Sequence, residues 1–282
     1  MTRDETKRRM GRIGILANVA LLALKASAAA LSGSIAVLSD ALNAFLDVLA
    51  YTAVHFSMRI HEKCPDENHP FGHRRAEPLA GLFFAVIASV LGASILRDAV
   101  LGFFADPQPA REAPAAVLLI AVALAAKAVM AAWYYSAWGA TRSPALRASF
   151  VDSRNDALSS SLALTGLLAG GRFDEAAALL IGAWIIYSGA KVGLENVGFL
   201  MGEAPNAEIL EEIRRSAMSV PGVTGLNDLR AHYVGDRIHV ELHIEVAKET
   251  TLEQAHDIGV EVRRRLEAVE QVDKAFIHID PV

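Results

Sequence analysis

Six apolar stretches are long enough to cross a bilayer, and they limit the possible fold more than any other feature of the chain. A transmembrane helix needs roughly 20 consecutive, mostly apolar residues. The stretches cover residues 12–32, 35–59, 77–104, 114–138, 144–169 and 174–199. With 53% hydrophobic residues among 282, the composition is too apolar for an ordinary soluble domain of this size. The sequence therefore predicts a polytopic α-helical membrane protein with six transmembrane helices.

Lysine and arginine flank these stretches unevenly. Counted through six crossings, one side of the membrane carries most of the bases, namely Arg3, Lys7, Arg8, Arg9, Arg12, Lys63, Arg74, Arg75, Arg142 and Arg147. The other side carries chiefly Arg111 and Arg172. Because cytoplasmic loops are enriched in Lys and Arg, we expect both termini in the cytoplasm. The expected location is the cytoplasmic membrane of a prokaryote.

A cleaved signal peptide is the alternative for the first stretch. Its basic start, its apolar run and the small residues at 26–28 resemble such a peptide. Lys25 interrupts the apolar run just before that cleavage site, and we therefore favour a membrane span.

The segment after residue 202 changes in composition and periodicity. Residues 203–282 contain 16 Asp or Glu against nine Lys or Arg. Apolar and polar residues alternate over 238–246, which predicts a half-buried strand with His239, Glu241, His243 and Glu245 on its solvent face. Helices are predicted around Leu210–Ala217 and over Leu252–Leu266, and further strands over 226–233 and 275–280. We therefore predict a transmembrane domain over 1–202 and a cytoplasmic α+β domain over 203–282, supported by dimerisation because of its small size.

Charge and cysteine content exclude several functions. The net charge is −5, so no basic field favours nucleic acid as a partner. The single cysteine, Cys64, forms neither an internal disulfide nor a paired-cysteine metal site. We therefore expect metal ligands to be carboxylates, amides or imidazoles, and we expect no cofactor.

Two apolar stretches carry paired polar side chains at one-turn spacing. Asn43 and Asp47 are four residues apart in the second stretch, and Asp152 and Asp156 are four apart in the fifth. This spacing places each pair on one helical face. Four converging oxygen donors suit a divalent cation, and charged residues inside membrane helices usually mark a transport pathway.

Alternatives remain for these acidic residues. They could pair with Lys25, Lys127 or Arg154 as buried salt bridges, although such pairs are costly as purely structural links. Intramembrane prenyltransferases also use paired acidic motifs to hold Mg²⁺ and a diphosphate. For Asp40, three residues before Asn43, we favour a helix-end residue near the outer interface over an access point for ions.

Several motifs resemble the cation diffusion facilitator family. In the membrane part they are SGSIAVLSDALNAFLD over 32–47, DENHPFGHRRAEP over 66–78 and DSRNDALSS over 152–160. In the tail they are GLNDLR over 225–230, QAH over 254–256 and IHIDP over 277–281. The resemblance spans nearly the whole chain. It implies a homodimeric exporter with six spans and a ferredoxin-like, metallochaperone-like cytoplasmic domain, which exchanges a divalent metal for protons and is not an enzyme.

The resemblance also assigns a transport site and a preferred metal. The family's transport ligands fall on Asn43, Asp47, Asp152 and Asp156. Zinc-transporting members usually have imidazole at the first position of one or both pairs, and this chain has Asn43 and Asp152 there. Oxygen donors suit harder ions such as Mn²⁺, which we therefore expect as the cargo. Export of Zn²⁺ or Fe²⁺ is the alternative, as is a metal-sensing or assembly scaffold with little transport.

Two further groups match secondary metal positions of the family. Asp66, His69 and His73 match a loop site, although Pro70 and Gly72 favour a turn there. In the tail, the matching residues are His243, His256, His278 and Asp280. The family's partner imidazole falls on Asn227, which argues against a two-metal cluster.

Overall fold

A computed structural model of the chain describes residues 3–61, 63, 65–105, 113–141, 144–235 and 237–282. The described residues form two compact units. The first lies within 1–55 and 83–193, and the second within 56–82 and 194–282. The predicted domain boundary at residue 202 stays a prediction.

Six long helices match the six predicted stretches. Their bounds are α1 Arg3–Ser32, α2 Ile35–His61, α3 Ala76–Phe104, α4 Pro114–Thr141, α5 Pro144–Ala169 and α6 Arg172–Met201. Most ends agree with the apolar runs within three residues. The start of α1 differs most, because it lies nine residues before the predicted start at residue 12. That extension contains mostly charged residues, which give no apolar signal.

Four of these helices contain a segment that is long and apolar enough to cross a membrane. The segments are Ile35–Ala53, Ala76–Phe104, Pro114–Gly139 and Arg172–Met201. In α1 the apolar part is shorter, covering Leu16–Ser32. In α5 the apolar run is interrupted by Asp152, Arg154 and Asp156. Six crossings therefore stay a prediction, because α1 and α5 contain no such segment among the described residues.

The helices of the first unit pack through small and branched apolar residues. Helix α4 packs against α5 and α1. Glycines bring α3 and α6 close together, because a Cβ atom on Gly92 would lie 2.6 Å from Cγ1 of Ile186. The buried core includes Ile120, Ile181 and Ile185. Close backbone approach through small residues is typical of helix packing in membranes.

The second unit contains a small mixed sheet with two helices. Its elements follow the predicted order, with α7 Ala207–Met218, β1 Gly225–Val234, β2 Arg237–Val246, α8 Leu252–Leu266 and β3 Val272–Pro281. Strand β2 lies between an antiparallel β1 and a parallel β3. A parallel neighbour requires a crossover connection, which α8 provides. Thr251 and Gln254 cap α8 with reciprocal side-chain to backbone hydrogen bonds.

One prediction for β2 is wrong. His239 was expected on a solvent face, and its exposed fraction is only 5%. Aromatic rings cover it, with centroids of Phe71 and Phe276 at 5.7 and 6.2 Å from its own. Burial lowers the pKa of His239, because the charged imidazolium loses hydration there. Alternation identified the strand correctly but not the chain segments that cover its polar face.

Candidate metal sites

The predicted transport residues lie where α2 and α5 face each other. The amide Nδ2 of Asn43 donates a hydrogen bond to Oδ1 of Asp156, with a distance of 3.0 Å. Two turns further along α2 and one turn back along α5, the hydroxyl of Tyr51 donates to Oδ2 of Asp152 at 3.3 Å. Asp47, between these contacts on α2, has a buried Oδ2 atom without a hydrogen-bond partner among the described residues. Buried polar atoms normally have partners, and an unpaired carboxylate oxygen here leaves a ligand position open.

A lysine from α4 neutralises one carboxylate of this group. The ammonium of Lys127 donates to Oδ2 of Asp156 and, at 2.8 Å, to Oδ1 of Asn18 on α1. The side chains of Lys127 and Asp156 are only 2% and 4% exposed. The salt-bridge alternative therefore holds for Asp156. Within the described part of the chain, Asp47 and Asp152 have no cationic partner within 4.0 Å, and Arg154 is exposed on α5.

Asp40 belongs to a second buried pair. Its Oδ1 accepts a hydrogen bond from Lys25 at 3.0 Å, and both side chains are 0% exposed. Its Oδ2 accepts from Ser160 on α5 at 2.9 Å. Asp40 is in the second turn of α2, close to the helix end as expected, but it is fully enclosed by protein, and its position near the outer interface stays a prediction. Sequence spacing identified the face of α2 but not the lysine opposite it.

The loop group comes together around the carboxylate of Asp66. Its oxygens lie 3.1 Å from Nδ1 of His69 and 3.3 Å from Nε2 of His73. The expected turn is present, and it nevertheless brings the two imidazole rings to 4.4 Å between centroids. The backbone N–H of His69 also donates to Asp66, and this bond lowers the pKa of the carboxyl. One carboxylate and two imidazoles therefore converge closely enough to share a metal ion.

Strand register assembles three of the four predicted tail residues. His243 and His278 are paired across the parallel strands β2 and β3, with ring centroids 4.5 Å apart. Asp280 lies 3.3 Å from Nδ1 of His243 and 3.2 Å from Nε2 of His278. Asn227, at a bulge in β1, donates to Asp280 at 3.1 Å, and this bond is the main cause of the lowered pKa of Asp280.

His256 lies outside this group. It is exposed on α8 and is absent from the cluster that His243, His278 and Asp280 form. Its role as a ligand stays a prediction.

Several residues in or beside these sites were not identified as contributors from the sequence. They are Asn18, Tyr51 and Ser160 in the first unit, and each contacts a carboxylate or its lysine across a helix interface. Each lies within a mostly apolar stretch, where a single polar residue gives no indication of its contacts. Helical spacing relative to Asp47 could have indicated Tyr51, which is four residues further along α2.

Comparisons with known proteins settle the family. A model described as the cation efflux transmembrane domain matches residues 12–201, and one described as the cation efflux protein cytoplasmic domain matches 205–282. The chain belongs to the cation diffusion facilitator family. It is therefore a metal efflux transporter with a helical transmembrane domain and a C-terminal cytoplasmic domain, and members of this family are transporters rather than enzymes.

Similar proteins come from archaea and bacteria. An uncharacterized transporter of Methanocaldococcus jannaschii is 34% identical over 278 residues, which cover 96% of each chain. The manganese efflux system protein MneS of Bacillus subtilis is 30% identical, over 99% of this chain and 98% of MneS. Among solved structures, the C-terminal domain of MamM is 32% identical with a TM-score of 0.26, covering 27% of this facilitator and 96% of that domain.

Proposed function

We propose that this facilitator exports Mn²⁺ from the cytoplasm in exchange for protons. The observation that carries the proposal is the meeting of Asn43 and Asp156 across α2 and α5, with the free Asp47 oxygen on the same face. A half-turn of the Asn43 amide presents its oxygen in place of the N–H. The proposed ligands then offer oxygen donors without imidazole or thiolate, and such donors suit Mn²⁺ better than Zn²⁺.

Two relatives support manganese as the cargo. Both MneS, at 30% identity, and MneP, at 26%, are manganese efflux system proteins of Bacillus subtilis. Each aligns over 99% of this chain. Full-length similarity to manganese efflux proteins and an oxygen-only ligand set point to the same ion by independent routes.

Carboxylate ligands provide the proposed coupling. Metal binds to ionised carboxylates, so protons and metal compete for Asp47 and Asp152. Protons that enter from the outer side would release the metal there, and metal from the cytoplasm would displace the protons. The proposal further includes six crossings, cytoplasmic termini, the cytoplasmic membrane of a prokaryote and a homodimer formed through residues 203–282.

The two histidine-containing groups are proposed as accessory metal sites. Asp66, His69 and His73 form the loop site, and His243, His278 and Asp280 form the cytoplasmic site. Both sites contain imidazole nitrogen and are partly exposed to solvent. They are therefore suited to sensing Zn²⁺ or a similar metal rather than to carrying cargo across the bilayer.

Flux into proteoliposomes under an imposed pH gradient tests the proposal. Wild-type protein should transport Mn²⁺ in preference to Zn²⁺ and Fe²⁺, and only when the gradient is present. Asn43→His should shift the preference toward Zn²⁺ by about tenfold, since imidazole is a ligand that zinc favours. The matched control is Asn155→His, which adds an imidazole next to Asp156 but about 100° around the helix.

Other outcomes would contradict parts of the proposal. If the wild type transported mainly Zn²⁺, the assignment of Mn²⁺ as the cargo would be wrong, but the proposal of metal efflux would stand. Absence of flux for all three ions would favour the second candidate, a metal-sensing scaffold, because the His243, His278 and Asp280 cluster is formed without any contribution from the membrane helices.

A further inference from the structure

Lys127 is held at the proposed transport site by two partners, one charged and one neutral. Its ammonium donates to Oδ2 of Asp156 and to Oδ1 of Asn18. All three side chains are buried. Removing one member of such a pair leaves an unpaired charge in a low-dielectric interior, which is strongly unfavourable. Lys127 is therefore expected to stay on Asp156 whether or not a metal is bound.

Asp156 can serve Lys127 and a metal ion at the same time. A carboxylate has two oxygens with about four lone-pair positions in total. Lys127 takes Oδ2, and Asn43 donates to Oδ1. Rotation of the Asn43 amide would free Oδ1 for a metal while the ammonium remains on Oδ2.

Lys127 then sets the net charge of the site. Asp47, Asp152 and Asp156 supply three carboxylates, and Lys127 cancels one of them. Lys25 and Asp40 pair at 3.0 Å and together add no net charge to this balance. Two net negative charges remain, located on Asp47 and Asp152, which have no cationic partner within 4.0 Å among the described residues.

We propose that Lys127 is the residue that makes this site selective for divalent over trivalent cations. A divalent ion leaves the buried site neutral, whereas a trivalent ion leaves one net positive charge without solvation. In a medium of low dielectric constant, one uncompensated charge at contact distance changes an affinity by tenfold or more. The inference rests on the proposed function, since it takes the four residues on α2 and α5 as the cargo site.

Two variants change the charge balance by opposite means. Lys127→Met removes the positive charge, and Asn18→Asp adds a negative charge on the same ammonium while keeping Lys127 paired. Both give the site three net negative charges. Lys127→Arg keeps the charge and is the matched control. Ser160→Ala is a second control, because it removes a hydrogen bond to Asp40 one turn from Asp156 without any change of charge.

The test measures Mn²⁺ binding and its displacement by La³⁺ with the full chain in detergent. Only the binding that Asp47→Asn abolishes is counted, which removes contributions from the loop and cytoplasmic groups. Size-exclusion chromatography confirms that each variant is folded. In Lys127→Met and Asn18→Asp, the ratio of La³⁺ to Mn²⁺ affinity should rise at least about tenfold over the wild type. Lys127→Arg and Ser160→Ala should stay within about threefold of the wild type.

The role of Lys127 would be overturned if Asn18→Asp folded, still bound Mn²⁺ and left the ratio of La³⁺ to Mn²⁺ affinity unchanged. This outcome is decisive even if Lys127→Met fails to fold. An equal rise in Lys127→Arg or Ser160→Ala would overturn this role too, because charge would not be the cause. If Asp47→Asn left all Mn²⁺ binding intact, the proposed cargo site itself would fail, and this outcome is distinct from the first two.

Discussion

The proposed cargo site between α2 and α5 and the proposed histidine site on β2 and β3 would each bind a divalent metal, but under opposite solvent conditions. In the first, Asp156 is 3% exposed and already contacts a lysine. In the second, the side chain of His278 is 63% exposed, and water is available to every charge. A buried site has to be nearly neutral once loaded, so its fixed charges select the valence of the ion. An exposed site has no such constraint, and the chemical type of its ligands decides what binds.

Removal of one proposed ligand from each region should separate their roles. Asp47→Asn should reduce gradient-driven Mn²⁺ flux by about a hundredfold, because the buried site loses one of its two uncompensated charges. His278→Ala, the matched change in the exposed group, should alter flux by less than about fivefold, since the cargo does not need that ligand. The measurement is initial Mn²⁺ uptake into proteoliposomes at equal protein content. Comparable losses in both variants would show that the two regions are not functionally distinct.

The buried Lys25–Asp40 pair, outside the proposed cargo site, should affect stability rather than selectivity. Lys25→Met should lower the free energy of unfolding by about 3–5 kcal/mol, because it leaves Asp40 charged and enclosed. The double variant Lys25→Met with Asp40→Asn should recover most of this loss, and Ser160 can still donate to the asparagine oxygen. Denaturant titration of the detergent-solubilised protein measures both. A single variant as stable as the wild type would contradict the account of this pair.

A partly exposed cluster of one carboxylate and two guanidinium groups in the cytoplasmic domain should give the smallest effect. Arg264 and Arg265 lower the pKa of Glu261 from 4.5 to about 2. A lowered pKa stabilises the fold above pH 4.5, and this contribution is lost as the pH falls toward 2. Glu261→Gln should therefore cause a small loss of thermal stability at neutral pH and none near pH 2. A loss that persists at pH 2 would mean that packing, rather than charge, is responsible.

Helices and strands were predicted well from the sequence wherever the pattern of residues within the segment itself determined the structure. Helix α5 begins at Pro144 and ends at Ala169, as expected from the apolar run and the glycines that follow. Strand β2 and helix α8 were equally clear, since alternation and a capping threonine are local features. The pairs Asn43 with Asp47 and Asp152 with Asp156 followed from helical spacing alone.

Contacts between distant segments could not be predicted in the same way. Spacing along α2 and α5 does not reveal that Lys127 binds Asp156 while Lys25 binds Asp40, because either lysine is compatible with either carboxylate. The pairing of His243 with His278 depends on the register of two parallel strands, which the α8 crossover determines. Burial of His239 depends on rings from two other segments.

Pulsed electron paramagnetic resonance of bound Mn²⁺ tests the central claim most directly. The full chain would carry His69→Ala and His243→Ala, which disable the loop and cytoplasmic groups. Bound Mn²⁺ should then show no coupling to imidazole nitrogen, and Asp47→Asn should abolish its signal. Asn43→His in the same background is the positive control, since it should introduce that coupling. Nitrogen coupling before Asn43→His, or Mn²⁺ binding that survives Asp47→Asn, would contradict an oxygen-lined cargo site between α2 and α5.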